Sequence, residues 1–194
     1  MNHRQDALGL LTADHADLMD LFESFGALCE RNASTIEKSA VAEEICLSLT
    51  IHAQVEQEIF YPAVRAAIGD NALMDEAQVE HAEADDLNAR ISTMKPTDPL
   101  FDARLIVLGA AFDRHVKTAQ RKMFPKVRRS GIDLVALGAR LQHRSDELLA
   151  LYKDMLGRSD WEDESADPVG RRTRAHAPDD AAMHPGASSS SRDA

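Results

Sequence analysis

The chain is short of cysteine, of helix breakers and of unbroken apolar runs, and each shortage excludes a class of protein. Two cysteines, Cys29 and Cys46, in 194 residues cannot form a disulfide framework. Both fall in helical patterns, where buried, inert thiols are expected, and a reducing cytoplasm fits. No phosphate-cradling glycine loop, nucleophile triad or cysteine redox motif is present. Charges interrupt every apolar stretch, so no membrane-spanning helix is expected, and the first residues do not read as a secretion signal. Basic residues are also in deficit, with 22 Lys and Arg against 33 Asp and Glu and a net charge of -11. Such a surface repels phosphate and anionic lipid, so neither nucleic acid nor membrane is expected as a main partner.

What remains is helical periodicity. Hydrophobic residues make up 44% of the chain, enough for one domain with a sizeable core and a tail. Glycine and proline are sparse before residue 157, and no segment alternates with period two. The spacing predicts helices over about 5–31, 35–67, 72–94, 99–128 and 133–156. Their apolar stripes include Leu8, Leu11, Leu18, Phe22 and Phe25 on the first, and Ile45, Leu49, Ile59 and Ala63 on the second. Leu73, Ala77, Ala84, Leu87, Ile91 and Met94 mark the third, and Phe101, Leu105, Leu108, Phe112 and Met123 the fourth. Leu134, Leu137, Leu141, Leu148, Leu151 and Tyr152 mark the fifth. Ser34 or Thr35 caps the second helix, and Asp98 with Pro99 starts the fourth. Pro62 should bend or loosen its helix. The fold class is all-α: an antiparallel up-down four-helix bundle (core about 5–129) with an additional C-terminal helix (about 133–156). Residues 157–194 bury too little apolar area to offset their ordering entropy and read as a disordered tail.

Histidine occupies positions on these stripes where an apolar residue is expected. His15, His52 and His115 each lie on the core stripe of a separate helix, and His81 borders the stripe of the remaining one. A buried imidazole needs hydrogen bonds or a metal to replace its lost hydration. Taken singly, each reads as a satisfied core histidine; one per helix argues for a shared cation between facing helices. Glu56 follows His52 by four residues and so shares its face, an imidazole–carboxylate pair suited to a borderline divalent metal such as iron. The segment also recurs: His52 leads to Phe60-Tyr61-Pro62 as His115 leads to Met123-Phe124-Pro125, with Ala119 standing where the first copy has Glu56.

Asp14-His15, His52-x-x-x-Glu56 with Phe60-Tyr61-Pro62, Glu80-His81, and His115 with Phe124-Pro125 together resemble the hemerythrin-like, HHE cation-binding domain family, over about 8–127. The resemblance implies a bundle enclosing a non-haem di-iron centre. It makes His15, His52, His81 and His115 iron ligands and Glu56 a bridging carboxylate. The family's second bridging carboxylate comes four or five residues after the last histidine, where this chain has Ala119 and Gln120. The additional histidine of oxygen-carrying hemerythrins is Ala77 here. Three outcomes stay open: a substitute carboxylate from Asp85, Glu80 or Glu58, each of which reads first as a solvated acid; a single metal ion; or a degenerate, mostly empty site.

The expected function is a non-haem iron protein that binds or senses O2, NO or redox state, or handles iron under stress; a non-enzymatic role is preferred, and the question of catalysis stays open. The alternatives are a metal-free interaction module and an iron enzyme that reduces peroxide or NO. Phe22, Phe25, Phe60 and Phe112 are candidates to wall a dry pocket, although plain core packing accounts for them equally well.

Overall fold

The computed structural model describes residues 6–164, and all its secondary structure is helical. Asp6 opens α1 (Ala7–Glu30), its carboxylate accepting from Gly9 N at 2.8 Å. That bond satisfies an amide which a helix start leaves without a partner. Ser34, not Thr35, caps α2 (Thr35–Val55). Its hydroxyl accepts from Glu37 N while Glu37 Oε2 accepts from Ser34 N at 3.0 Å, a reciprocal box.

The second rod does not stop at Val55. It runs through a five-residue π-helical turn, Glu56–Phe60, into α3 (Tyr61–Ile68). Gly69 ends α3 in the left-handed region at φ 65°, where a side chain would be strained. Asp70 caps α4 (Asn71–Ser92). The fourth rod repeats the second: α5 (Phe101–Thr118), a π turn at Ala119–Met123, then α6 (Phe124–Arg129). The final helix is α7 (Leu134–Glu164).

Proline explains the place of both π turns. Pro62 and Pro125 each sit two residues beyond the end of a turn, and a proline ring crowds the carbonyl four residues before it while offering no N–H. Widening the preceding turn removes the clash, and the loosening expected at Pro62 takes this form. The bond that closes each turn runs from Tyr61 N to Glu56 O and from Phe124 N to Ala119 O.

α1 and α4 each pack against both α2 and α5, and short connections join consecutive rods, which gives the antiparallel up-down bundle. The core falls into two apolar clusters. One holds Leu8, Leu11, Phe60, Val64, Met74, Met123 and Val127, covered by Leu137, Leu141 and Leu148 of α7. The other holds Leu18, Phe25, Ile45, Leu49, Ile91, Leu105 and Phe112. On α1 and α4 the inward histidine lies between the residues given to the two clusters, and on the other two rods it lies where the clusters meet. A polar layer therefore crosses the bundle between two apolar ones.

Several local expectations differ from the structure. Asp98 does not cap the fourth rod. Its carboxylate accepts from Lys95 N at 3.0 Å to close a turn, and the helix begins at Phe101 behind Leu100. The stripe of the second rod passes to Phe60 and Val64 rather than Ile59 and Ala63, because the π turn inserts one residue. Leu151 is exposed, and Cys29 is only half-buried. Helix α7 continues through Gly157 to Glu164. A glycine weakens a helix by about 1 kcal/mol against alanine without stopping it, and the next proline is Pro168. The rest of the expected tail lies outside the described residues. Residues through Asp154 form one compact unit, and the second unit begins at Met155. No helix among the described residues is long and apolar enough to cross a membrane.

Candidate metal centre

Each rod delivers its histidine to the polar layer, and all four are buried together with Glu56. His15 and His52 have ring centroids 4.9 Å apart, His15 and His115 5.2 Å, and His81 and His115 4.7 Å. Glu56 is the common neighbour. The Nε2 atoms of His52, His81 and His115 lie 3.7, 2.9 and 3.6 Å from Glu56 Oε2, and His15 Nε2 lies 4.0 Å from Oε1. One ligating atom from each of His15, His52, Glu56 and His115 lies within 4.8 Å of the other three. His81, which the sequence places beside the stripe, is buried on it. It stands outside that mutually close set and reaches it through Glu56.

The π turn creates a contact that helical spacing hides. Residues five apart on a regular helix point about 140° away from each other. Closure of the wider turn between Glu56 and Tyr61 brings their side chains together. The Tyr61 hydroxyl donates to Glu56 Oε2 at 2.9 Å and lies 2.6 Å from His81 Nε2. Tyr61 was not among the residues that the sequence singled out for chemistry; its signal is an aromatic five places after Glu56 and just before a proline.

Aromatic rings wall the centre. Phe112 has its ring centroid 5.8 Å from those of His15, His52 and His115. Phe124 stacks on His15 with planes 4° apart, and Phe60 packs edge-on to Phe124. Of the other phenylalanines considered as walls, Phe22 stands behind Phe112, and Phe25 packs against Phe101 instead. Phe124 is the wall residue that the sequence reading left out.

The protonation of His15 and His115 suits a cation. Burial, aided by the charge of His52, pushes His15 down to about 3, and burial pushes His115 down to about 4. Both rings are then neutral near pH 7, with a lone pair free to coordinate. For His52 burial acts in the same direction, but Glu56 and Asp14, whose Oδ2 is 3.7 Å from Nδ1, outweigh it and raise the ring. Burial opposes ionisation of Glu56 as well, yet the surrounding imidazoles hold its carboxyl well below the usual range. Burial and the Glu56 charge push the Tyr61 phenol well up, so it stays protonated.

Protein groups alone leave this centre unsatisfied. Both nitrogens of His15, both of His52, His115 Nε2 and Glu56 Oε1 are buried without a hydrogen-bond partner. Five such nitrogens and an oxygen of the carboxylate they surround would be costly, because buried polar groups are rarely left unpaired. Four imidazoles and one carboxylate are a donor set that fits a borderline divalent metal.

The second carboxylate is a separate matter. Ala119 is buried in the core and carries no donor, and Gln120 is exposed. Glu58 turns outward to Arg144, with Arg144 Nε donating to Oε2 at 2.7 Å. Asp85 is half-buried and accepts from Gln57 at 2.6 Å. Glu80 is half-buried with Oε2 unpartnered. Ala77 is packed in the apolar core.

The model of the Hemerythrin HHE cation binding domain family matches residues 6–127. The crystal structure of a hemerythrin HHE cation binding domain-containing protein from Mycobacterium kansasii, a homolog of Rv2633c, superposes with a TM-score of 0.63 at 23% identity. That likeness covers 76% of this chain and 91% of the other and concerns the fold. No curated protein matches the chain.

Proposed function

The chain belongs to the hemerythrin HHE cation-binding domain family, and from that premise we propose that it binds non-haem iron at the buried centre, through His15, His52, Glu56, His81 and His115. The observation that carries this reading is the convergence of unpartnered buried nitrogen and oxygen atoms from three rods on one point. A metal-free interaction module would have to bear the cost of those atoms with nothing to offset it. The donor set supports one ion held first. A second ion would meet less compensating charge, because Ala119 brings no carboxylate.

Reduced iron held here would supply an electron-rich centre for O2 or NO, and the task we infer is binding or sensing such a molecule, or handling iron under stress. The chain's own residues prepare the place. Phe112 and Phe124 exclude water from the face shared by the three closest imidazoles. Glu56 offsets part of the cation's charge, and the Tyr61 hydroxyl donates to Glu56 Oε2 and so orients the carboxylate. Asp14 faces His52 Nδ1 and favours the tautomer that turns Nε2 inward.

Anaerobic purification with quantified iron tests the reading. About one tightly held iron per chain is expected, and Glu56→Gln should lose it while helical content stays the same. Unchanged iron in Glu56→Gln would refute the assignment of ligands. No iron in the wild type after anaerobic reconstitution would favour the metal-free module.

A further inference from the structure

The centre is buried, yet a cation has to reach it, and two hollows mark one path. The inner hollow is a cavity of about 20 Å³, room for one water-sized molecule. It lies between α2, α4 and α5, and His52, His81 and His115 all line it. Two of those rings are at least nine-tenths buried with Nε2 unpartnered, His52 and His115. The outer hollow is an open groove between α2 and α4, lined by polar side chains including Thr50, Gln54, Gln57 and Asn88. Asn88 is itself buried in the helix interface, and its Oδ1 has no partner.

Inner cavity and outer groove share two residues, Ala53 and Asp85. Alanine is the smallest side chain that a helix carries without penalty, so Ala53 adds little bulk where the two hollows meet. Asp85 is tethered from the groove side by Gln57 Nε2 at 2.6 Å. Inside the passage the next acid is Glu80, whose buried Oε2 is unpartnered. Two carboxylates, one of them also on the groove, therefore stand beside the imidazoles that line the inner cavity.

We propose that the α2–α4 cleft is the route by which a divalent cation enters the centre, with Asp85 as its threshold and Ala53 at the junction of the two hollows. This rests on the metal-binding reading above. A carboxylate at the mouth of a narrow passage raises the local concentration of cations and so the rate of loading, without being a ligand in the loaded protein. Glu58, the other acid on the groove, is already paired with Arg144 and adds little field.

Uptake of Co(II) by metal-free full-length protein, followed by visible absorbance in stopped flow, tests the proposal. Asp85→Asn should slow uptake about fivefold or more and flatten its dependence on ionic strength. Ala53→Val should slow uptake as well, with both variants reaching the wild-type stoichiometry and helical content. Glu83→Gln, an exposed charge on the same helix, should leave the rate unchanged. Wild-type rates in both Asp85→Asn and Ala53→Val would overturn the route. Reduced stoichiometry in Asp85→Asn would overturn it too, because Asp85 would then be a ligand. Failure of the wild type to take up any Co(II) would instead refute the metal-binding reading.

Discussion

At the scale of single residues, the centre is an arrangement of protons and lone pairs around Glu56. Tyr61 is the clearest case. Its hydroxyl meets both Glu56 and His81 in the buried layer, so Tyr61→Phe should destabilise the metal-free protein by about 1–2 kcal/mol. Urea denaturation measures this, and an unchanged midpoint would mean that the phenol contributes nothing there. The histidines were legible in the sequence because each replaces an apolar residue at helical spacing, and His15, His52 and His115 are buried where their stripes placed them. Tyr61 was not legible, because its contact depends on a turn that the periodicity does not report. Asn88 escaped for a different reason. It is a polar residue on the core face of α4, where it donates to Thr50 Oγ1 at 2.9 Å and Cys46 O at 3.2 Å, and short polar residues read by default as surface.

At the scale of elements, caps and π turns decide where the rods begin and how they rotate. The α2 cap carries a pH signature. Hydrogen bonds from Arg31 and Ser34 lower Glu37 from its ordinary 4.5 to about 2. A carboxyl whose folded value is depressed stabilises the fold above its unfolded value, and that contribution fades as pH falls from 4.5 toward 2. The stability difference between wild type and Glu37→Gln should therefore narrow across this window. It should also be small and sensitive to salt, because the pair is exposed. Urea midpoints measured between pH 5 and pH 2 check it, and a constant difference would contradict the role of the charge. The rods themselves were readable from period and breakers. Their rotation beyond each histidine was not, since one inserted residue moves the buried stripe of the second rod from Ile59 and Ala63 to Phe60 and Val64. Prolines after both histidine segments hinted at the disturbance, but a kink and a π turn leave the same mark in a sequence.

At the scale of the whole molecule, the described unit repeats one pattern twice: a helix with a histidine, then a rod with a histidine, a π turn and an aromatic–proline pair. The repeat brings four imidazoles to one level between two apolar clusters, and α7 covers the cluster at the π-turn end. Its one break in symmetry is chemical, since the first copy carries Glu56 and the second Ala119. The bundle was legible because apolar stripes demand burial whatever the chemistry between them. The number of ions was not, because it depends on whether another acid can stand in for Ala119. X-ray absorption at the iron edge of anaerobically loaded protein tests the central claim most directly. The account predicts several nitrogen neighbours, with the outer-shell scattering of imidazole rings, and a loss of part of that signal in His115→Ala. Iron surrounded by oxygen alone, unchanged in that variant, would contradict it.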